Sequence, residues 1–270
     1  MDLEQRTILI LGGSGLVGRA VARRLLASRP ARLVLVALRE AEVREAAESV
    51  RAAAGDTRVE VEWGDVFLPA AVARLEHGAI LREAKLRDQV IGHLFDGLSE
   101  AVLERSFLFQ LLQRYRPEAV VDCINTATAF AYQNVYASAR QLVRQASEGG
   151  VTREVAERHL LTLPIPQLIR HTQIAAEGLR RAGTRGYVKI GTSGTGGMGF
   201  NVPYTHSEER PSRMMLTKSA LGGAQSLLLF LLARTPGAPA AIEIKPTATI
   251  GWREIRYGPI RRGGRPVRRV

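Results

Sequence analysis

The stretch TILILGGSGLVGRAVARRLL, residues 7–26, decides the fold of this chain. The apolar run Thr7–Leu11 predicts a buried β-strand, and the amphipathic spacing of residues 17–28 predicts an α-helix. Four glycines lie between and just inside these elements, and three of them, Gly12, Gly15 and Gly18, have the spacing G-x-x-G-x-x-G. A glycine turn that links a strand directly to a helix is the first crossover of a βαβ unit, and it predicts a parallel sheet.

Each glycine of this turn has a distinct physical role. Gly12 allows a sharp turn, Gly15 leaves room for a pyrophosphate to approach the backbone, and Gly18 lets the helix pack close to the strand. The amino end of the helix presents free N–H groups and a positive dipole to phosphates. We therefore predict dinucleotide binding here, although glycine-rich turns also occur for packing alone. The residues predicted to hold the cofactor in this loop are Gly12, Ser14, Gly15, Leu16, Val17 and Gly18.

Alternation of short β-branched runs with amphipathic stretches continues along the chain. It predicts a Rossmann-type α/β fold, a doubly wound parallel sheet covered on both faces by helices. Two connections are too long for a minimal sheet and are predicted as helical insertions, which leaves open whether they form a lid or a dimer surface. The predicted strands are 7–11, 32–38, 58–63, 118–124, 187–190 and 241–244; the main helices are 17–28, 40–54, 166–182 and 215–234; the insertions are about 67–105 and 127–165, within a domain of residues 1–252.

Composition and charge narrow the class of protein. The chain has 270 residues, a net charge of +12 and one cysteine, Cys123, which fits a reducing compartment. The amino terminus lacks the pattern of a signal peptide, and the apolar run 219–233 is short for a bilayer span, so we expect a cytoplasmic protein without a membrane contact. The tail 253–270 carries seven arginines and one glutamate; we expect a solvated, disordered end or a remnant of a substrate-binding region rather than a nucleic-acid contact.

The end of the second strand bears on the type of cofactor. An acidic residue there usually accepts from the adenosine ribose, but this chain has Leu38 followed by Arg39. Arg39 would pair with a 2′-phosphate, and Arg19 lies close to the phosphate loop. The sequence therefore favours NADP(H) over NAD(H). The alternative is that Arg39 is a solvated surface residue and Glu40 takes the ribose.

Taken together, these motifs resemble the short-chain dehydrogenase/reductase superfamily, in particular its extended, epimerase-like branch. The resemblance covers about residues 7–252 and depends on the order of the motifs at strand ends. Those motifs are the glycine triplet, Gly64-Asp65-Val66, Asn125-Thr126-Ala127-Thr128, Gly191-Thr192-Ser193, Thr217-Lys218, Lys245-Pro246 and Ile250-Gly251. The resemblance implies that Asp65 accepts from the adenine amino group and that the Val66 backbone lines the adenine pocket. It implies that Asn125, Thr126 and Ala127 pass beneath the cofactor and that Lys218 reaches the nicotinamide ribose.

The catalytic acid of this family is missing from its usual position. Family members carry a tyrosine four residues before the lysine, whose ammonium lowers the phenol pKa towards working pH. Here that position is Met214, and a thioether cannot transfer a proton. Thr192 or Ser193 would hold the substrate oxygen. Tyr204 or His206 would replace the acid, or Lys218 or a water would protonate the substrate, or the protein binds the dinucleotide without turnover.

The loop GTSGTGGMGF, residues 191–200, is richer in glycine than family members are, and it suits either oxyanion contacts or a flexible flap. Only the arginine-rich tail follows Trp252, where extended family members have a substrate-binding region, so the substrate is undefined. The sequence predicts an NADP(H)-dependent oxidoreductase acting on a carbonyl or hydroxyl carbon of a small molecule. The alternative is a non-catalytic dinucleotide sensor or scaffold. No metal site is predicted, and a homodimer stays open.

Overall fold

The computed structural model describes residues 1–131, 133–191 and 213–245, together with the strands Ala248–Trp252, Arg261–Arg262 and Arg265–Pro266. The side chains of residues 127, 128, 131, 215 and 245, and those of the last three strands, lie outside this description.

A seven-stranded sheet forms the centre of the molecule. Its spatial order is β3-β2-β1-β4-β5-β6-β7, in which β1 to β6 are parallel and β7 runs antiparallel to β6. This is the order of a Rossmann-type fold and confirms the predicted class. The strands are β1 Thr7–Leu11, β2 Arg32–Ala37, β3 Arg58–Trp63, β4 Ala119–Asp122, β5 Gly186–Ile190, β6 Ala240–Lys245 and β7 Ala248–Trp252. A separate pair, β8 Arg261–Arg262 and β9 Arg265–Pro266, lies within the predicted tail.

Eleven helices occur in the described part of the chain. They are α1 Leu16–Leu26, α2 Glu40–Arg51, α3 His77–Arg82, α4 Ala84–Phe95, α5 Glu100–Arg105, α6 Phe107–Tyr115, α7 Thr126–Ala131, α8 Val135–Ser147, α9 Arg153–Leu160, α10 Pro164–Ala182 and α11 Arg213–Arg234. Both long connections are therefore helical: the first contains α3, α4 and α5, and the second contains α7, α8 and α9. Arg87 of α4 and Glu157 of α9 join the two insertions through a buried ion pair of 2.7 Å.

Alternate residues of the strands supply two apolar layers. Ile8 and Ile10 of β1 pack on the side of α1 and α2, whereas Leu9 and Leu11 pack on the side of α6 and α10. All four side chains are buried, because helices cover both faces of the sheet. A parallel strand buried on both faces reads as a continuous apolar run rather than an alternating one, which explains the sequence of β1.

Helix α11 follows the predicted boundaries closely. Its segment Leu216–Arg234 has a mean hydropathy of 1.3, so by length and composition alone it is able to cross a bilayer. In the structure it packs against β6, α7 and α10 and forms part of the core.

Strand β7 has no counterpart in the sequence prediction. It follows β6 after two residues and contains Gly251, which weakens the strand signal. The backbone of β7 pairs with β6 in antiparallel register, and the local sequence does not predict this pairing.

Candidate functional site

A cavity of about 320 Å³ opens at the carboxyl edge of the sheet, where β1 to β4 end. The chain leaves β1 towards β2 on one side and later returns to β4 on the other, so this is the point at which strand order reverses. Ligands of doubly wound sheets bind in the crevice at that point. The cavity is lined by Gly12, Ser14, Gly15, Val36, Ala37, Leu38, Glu42, Gly64, Asp65, Val66, Phe67, Cys123, Ile124, Asn125 and Ala129.

The glycine loop has the geometry that each predicted role requires. Gly12 has a φ of 72°, a left-handed conformation that favours glycine. A Cβ at Gly18 would lie 2.2 Å from the carbonyl oxygen of Gly12, so this glycine permits close packing of α1. A Cβ at Gly15 would meet only that same oxygen, at 3.4 Å, so the space beside Gly15 is open. Gly18 is therefore required for packing of α1, whereas Gly15 leaves room for a ligand.

No side chain of the described residues caps the amino end of α1. Gly15 is the N-cap and supplies no side-chain hydrogen bond, and no acidic residue occupies the first turn. The amide N–H groups of Leu16 and Val17 belong to that turn, where an α-helix has no acceptors of its own. Arg19 braces the loop, since its Nε donates to the Ser14 carbonyl at 2.8 Å and its Nη1 pairs with Glu45 at 2.8 Å. This arrangement suits an anionic group at the helix end.

The end of the cavity beside β2 contains one residue that sequence reasoning missed. Leu38 lines the cavity, as expected, while Arg39 is exposed and its Nη1 donates to Glu42 Oε1 at 3.2 Å. Glu42 itself lines the cavity. The i, i+3 spacing of Arg39 and Glu42 on the first turn of α2 was the available sequence signal.

Asp65 and Val66 follow β3 and line the same cavity. Burial raises the pKa of the Asp65 carboxyl, and its hydrogen bond from the Phe67 amide, 2.9 Å, opposes that rise. The backbone of this turn is tight: Gly64 has a φ of 138°, and a Cβ there would lie 2.9 Å from the Phe107 ring. The structure thus brings the Asp65 motif to the glycine loop.

The turn after β4 completes the described wall of the cavity. Cys123, Ile124 and Asn125 line it. Thr126 begins α7 and is buried, and its hydroxyl accepts a hydrogen bond from Lys189 Nζ at 3.2 Å. Ala127 lies in α7, and its side chain is outside the description. The hydroxyl of Thr126 therefore faces the sheet side of the turn rather than the cavity lining.

A buried ionic cluster beneath this turn was also missed. Asp122 Oδ2 lies 3.0 Å from Lys189 Nζ and accepts from the Tyr187 hydroxyl at 2.7 Å. Burial alone would raise the pKa of Asp122, but the Lys189 ammonium and the hydrogen bonds outweigh burial and hold the pKa below its usual value. The sequence signal was a single charge at the end of each of two apolar strands, in VVD and YVK.

Helix α11 brings Lys218 into the core, with 7% of its surface exposed. Met214, one turn earlier, packs against an apolar cluster of Phe130, Leu168 and Leu221. The position that holds tyrosine in the resembled family therefore contacts apolar side chains here. The hydroxyl of Tyr136 lies 3.4 Å from Oγ1 of Thr217, the residue before Lys218.

Four predicted residues lie outside the described part of the chain: Thr192, Ser193, Tyr204 and the alternative acid His206. Their roles stay predictions. Among the described residues, no group of three or more His, Cys, Asp or Glu side chains is placed to hold a metal ion.

The chain is similar in structure to short-chain dehydrogenase/reductase enzymes at low sequence identity. A short-chain type dehydrogenase/reductase from Mycobacterium ulcerans is 17% identical with a TM-score of 0.44; the match covers 86% of this chain and 63% of that one. L-sorbose reductase from Gluconobacter frateurii, solved with NADPH and L-sorbose, is 15% identical with a TM-score of 0.41, over 86% of this chain and 65% of that one. WbmG from Bordetella bronchiseptica, solved with NAD, is 13% identical with a TM-score of 0.42, over 90% of this chain and 53% of that one.

This chain thus spans less than two thirds of the length of these three proteins. No protein-family model matches the sequence, and no curated protein matches it. Scores of this size do not indicate a shared activity, and the fold assignment rests on the observed strand order.

Proposed function

We propose that the protein binds a nicotinamide dinucleotide in the cavity at the carboxyl edge of β1 to β4. The observation that carries this proposal is the open space beside Gly15, at the uncapped amino end of α1 and within that cavity. A pyrophosphate needs close backbone approach and unpaired N–H donors, and this loop offers both. Asp65 and Asn125 both line this cavity, and in this proposal the Asp65 carboxylate would accept from the adenine amino group.

The preferred cofactor is NADP(H). Leu38 offers no acceptor to a ribose diol, whereas Arg39 lies one residue further on and its guanidinium suits a 2′-phosphate. Glu42 pairs with Arg39, so a phosphate would have to displace a carboxylate there. We infer that this pair sets the preference between NADPH and NADH.

The proposed reaction class is reduction or oxidation at a carbonyl or hydroxyl carbon. When bound, the dinucleotide supplies or accepts a hydride. Lys218 of α11 would position the nicotinamide ribose, and Thr192 or Ser193 would hold the substrate oxygen. Tyr204 would move the proton at that oxygen, because Met214 cannot do so.

A second candidate function is dinucleotide binding without turnover. It is favoured by Met214, whose thioether cannot donate a proton and which packs against the apolar side chains of Phe130, Leu168 and Leu221. The protein would then act as a sensor or scaffold.

The first experiment measures binding rather than activity. Purified full-length protein is titrated with NADPH and with NADH by calorimetry, and the melting temperature is recorded over the same concentrations. A ligand that binds the folded state raises the melting temperature by mass action. We expect saturable binding with the larger rise for NADPH. A melting temperature that stays constant with both dinucleotides, with no heat of binding, contradicts the proposal.

A further inference from the structure

A buried ion pair lies directly beneath the wall of the proposed dinucleotide site. Asp122 is the last residue of β4, and Lys189 is its neighbour across the parallel pairing with β5. The two side chains lie on the same face of the sheet, with 1% and 2% of their surfaces exposed, and Nζ is 3.0 Å from Oδ2. Burying two charges costs desolvation free energy that the pair only repays with good geometry and further hydrogen bonds.

Both charged groups obtain hydrogen bonds from the turn that follows β4, and Asp122 obtains one more from Tyr187 of β5. The Lys189 ammonium donates to the carbonyl of Ile124 at 2.5 Å and to Thr126 Oγ1 at 3.2 Å. With Asp122 as third partner, each of its three N–H groups has an oxygen nearby. Asp122 Oδ1 accepts from the Ile124 amide at 2.9 Å, and Oδ2 accepts from the Tyr187 hydroxyl at 2.7 Å. The ion pair therefore holds residue 124 through both its N–H and its carbonyl.

The same turn forms one wall of the cavity. Cys123, Ile124 and Asn125 all line it, and the backbone of Cys123 and Ile124 packs against Gly12, with about 3.1 Å to a Cβ built at that glycine. A shift of the turn would therefore reach the phosphate loop as well as the wall. Because polar groups inside the protein are held rigidly only when every partner is satisfied, this cluster is suited to fixing a backbone position.

The structure contains another buried ion pair, which lies away from the cavity. Arg87 and Glu157 are also buried and lie 2.7 Å apart, but they join α4 to α9 in the insertions. Neither residue lines the cavity. This pair provides a matched control for the cost of removing a buried cation.

We propose that Lys189 is a positioning residue for the dinucleotide site: together with Asp122 it fastens the turn 124–126, and this turn fixes the wall of the cavity against the phosphate loop. The proposal rests on the proposed function for its ligand. Lys189 does not touch the cofactor in this proposal and acts only through the turn.

The test compares Lys189→Met with Arg87→Met in the full-length chain. Each variant loses a buried ammonium or guanidinium and keeps an unbranched side chain. Two quantities are measured at a temperature where both variants are folded: hydrogen exchange of the amides of residues 122–126 without ligand, and the NADPH dissociation constant by calorimetry. We expect Lys189→Met to raise exchange at 122–126 at least about tenfold and to weaken NADPH binding at least about tenfold, with neither change in Arg87→Met.

Several results overturn the proposal. Unchanged exchange at 122–126 in Lys189→Met shows that the lysine does not fasten the turn, and unchanged NADPH affinity shows that the turn does not shape the site. Equal losses in Arg87→Met show a general effect of stability. If the wild-type protein binds neither NADPH nor NADH, the proposed function fails, and the exchange comparison still decides whether Lys189 fastens the turn.

A second variant tests the proposal if Lys189→Met does not fold. Asp122→Asn combined with Lys189→Met removes both charges, and removing both partners of a buried pair costs less stability than removing one. This double variant is expected to fold and to show the same faster exchange and weaker binding. If it unfolds too, Lys189 serves the fold as a whole and the proposal is wrong.

Discussion

A methyl group at Gly18 would lie 2.2 Å from the carbonyl oxygen of Gly12, well inside contact distance. The glycine triplet therefore contains a residue required for packing α1 on β1 and a different residue, Gly15, whose Cβ position is open. Alanine substitutions at Gly18 and at Gly15 should therefore affect fold stability and ligand binding separately.

We expect Gly18→Ala to destabilise the fold by about 3 kcal/mol, because its methyl group meets backbone that cannot move aside cheaply. Gly15→Ala should change the free energy of unfolding by less than about 1 kcal/mol, since Gly15 has a φ of −70° and space for a Cβ. Gly15→Ala should still weaken NADPH binding at least about tenfold, or about 1.4 kcal/mol. Urea denaturation and calorimetry measure the two effects. Equal NADPH affinity in Gly15→Ala and wild type would show that no phosphate approaches this glycine.

Arg39 and Glu42 should set the choice of cofactor. Arg39→Ala removes the guanidinium available to a 2′-phosphate, so we expect NADPH to bind about tenfold more weakly and NADH to be unaffected. Glu42→Gln removes the competing carboxylate, and since exposed ion pairs contribute at most about 1 kcal/mol, NADPH affinity should rise by roughly threefold at low salt. Dissociation constants for both dinucleotides test this. A parallel loss of NADH affinity in Arg39→Ala would assign Arg39 to another part of the ligand.

His93 should make the fold sensitive to acid. It is 3% exposed, and neither ring nitrogen has a hydrogen-bond partner among the described residues. Burial first, and then the charges of Arg170 and Arg105, lower the pKa of His93 from 6.5 to about 4. Below pH 6.5 the unfolded chain therefore takes up a proton that the folded protein does not. The free energy of unfolding is therefore highest above pH 6.5 and decreases as the pH falls towards 4.

The matching variant is His93→Leu, which has a similar volume and cannot be protonated. Between pH 7 and pH 4 the wild type should lose about 3 kcal/mol more stability than the variant. Urea denaturation at several pH values measures this difference directly. Parallel pH dependence of the two proteins would show that His93 does not stay neutral in the fold.

Tyr204 should carry the proton transfer if the protein is an enzyme. We expect Tyr204→Phe to lower NADPH-dependent reduction of a reactive aldehyde by roughly a hundredfold while the NADPH dissociation constant is unchanged. If the wild type shows no turnover, Met214→Tyr restores a phenol one helical turn before Lys218 and is expected to create reductase activity. Full activity in Tyr204→Phe would contradict the role of this tyrosine.

Much of the fold could be predicted because the signals are local. The apolar run of β1, the glycine turn and the amphipathic α1 lie within twenty residues, so strand, turn and helix follow from neighbouring residues alone. The same holds for Arg58–Trp63, whose predicted and observed bounds agree. Strand β7 could not be predicted, because its stability comes from pairing with β6 rather than from its own residues.

The sequence by itself determined the doubly wound class and the packing of the glycine turn against α1, since spacing and side-chain volume decide those features. Tertiary structure decided which polar residues share a site. Asp122 and Lys189 are 67 positions apart. Only the parallel pairing of β4 with β5 places the ammonium against the carboxylate. The physical reason is that the free energy of a buried charge depends on partners that the sheet brings together, and these lie far apart along the chain.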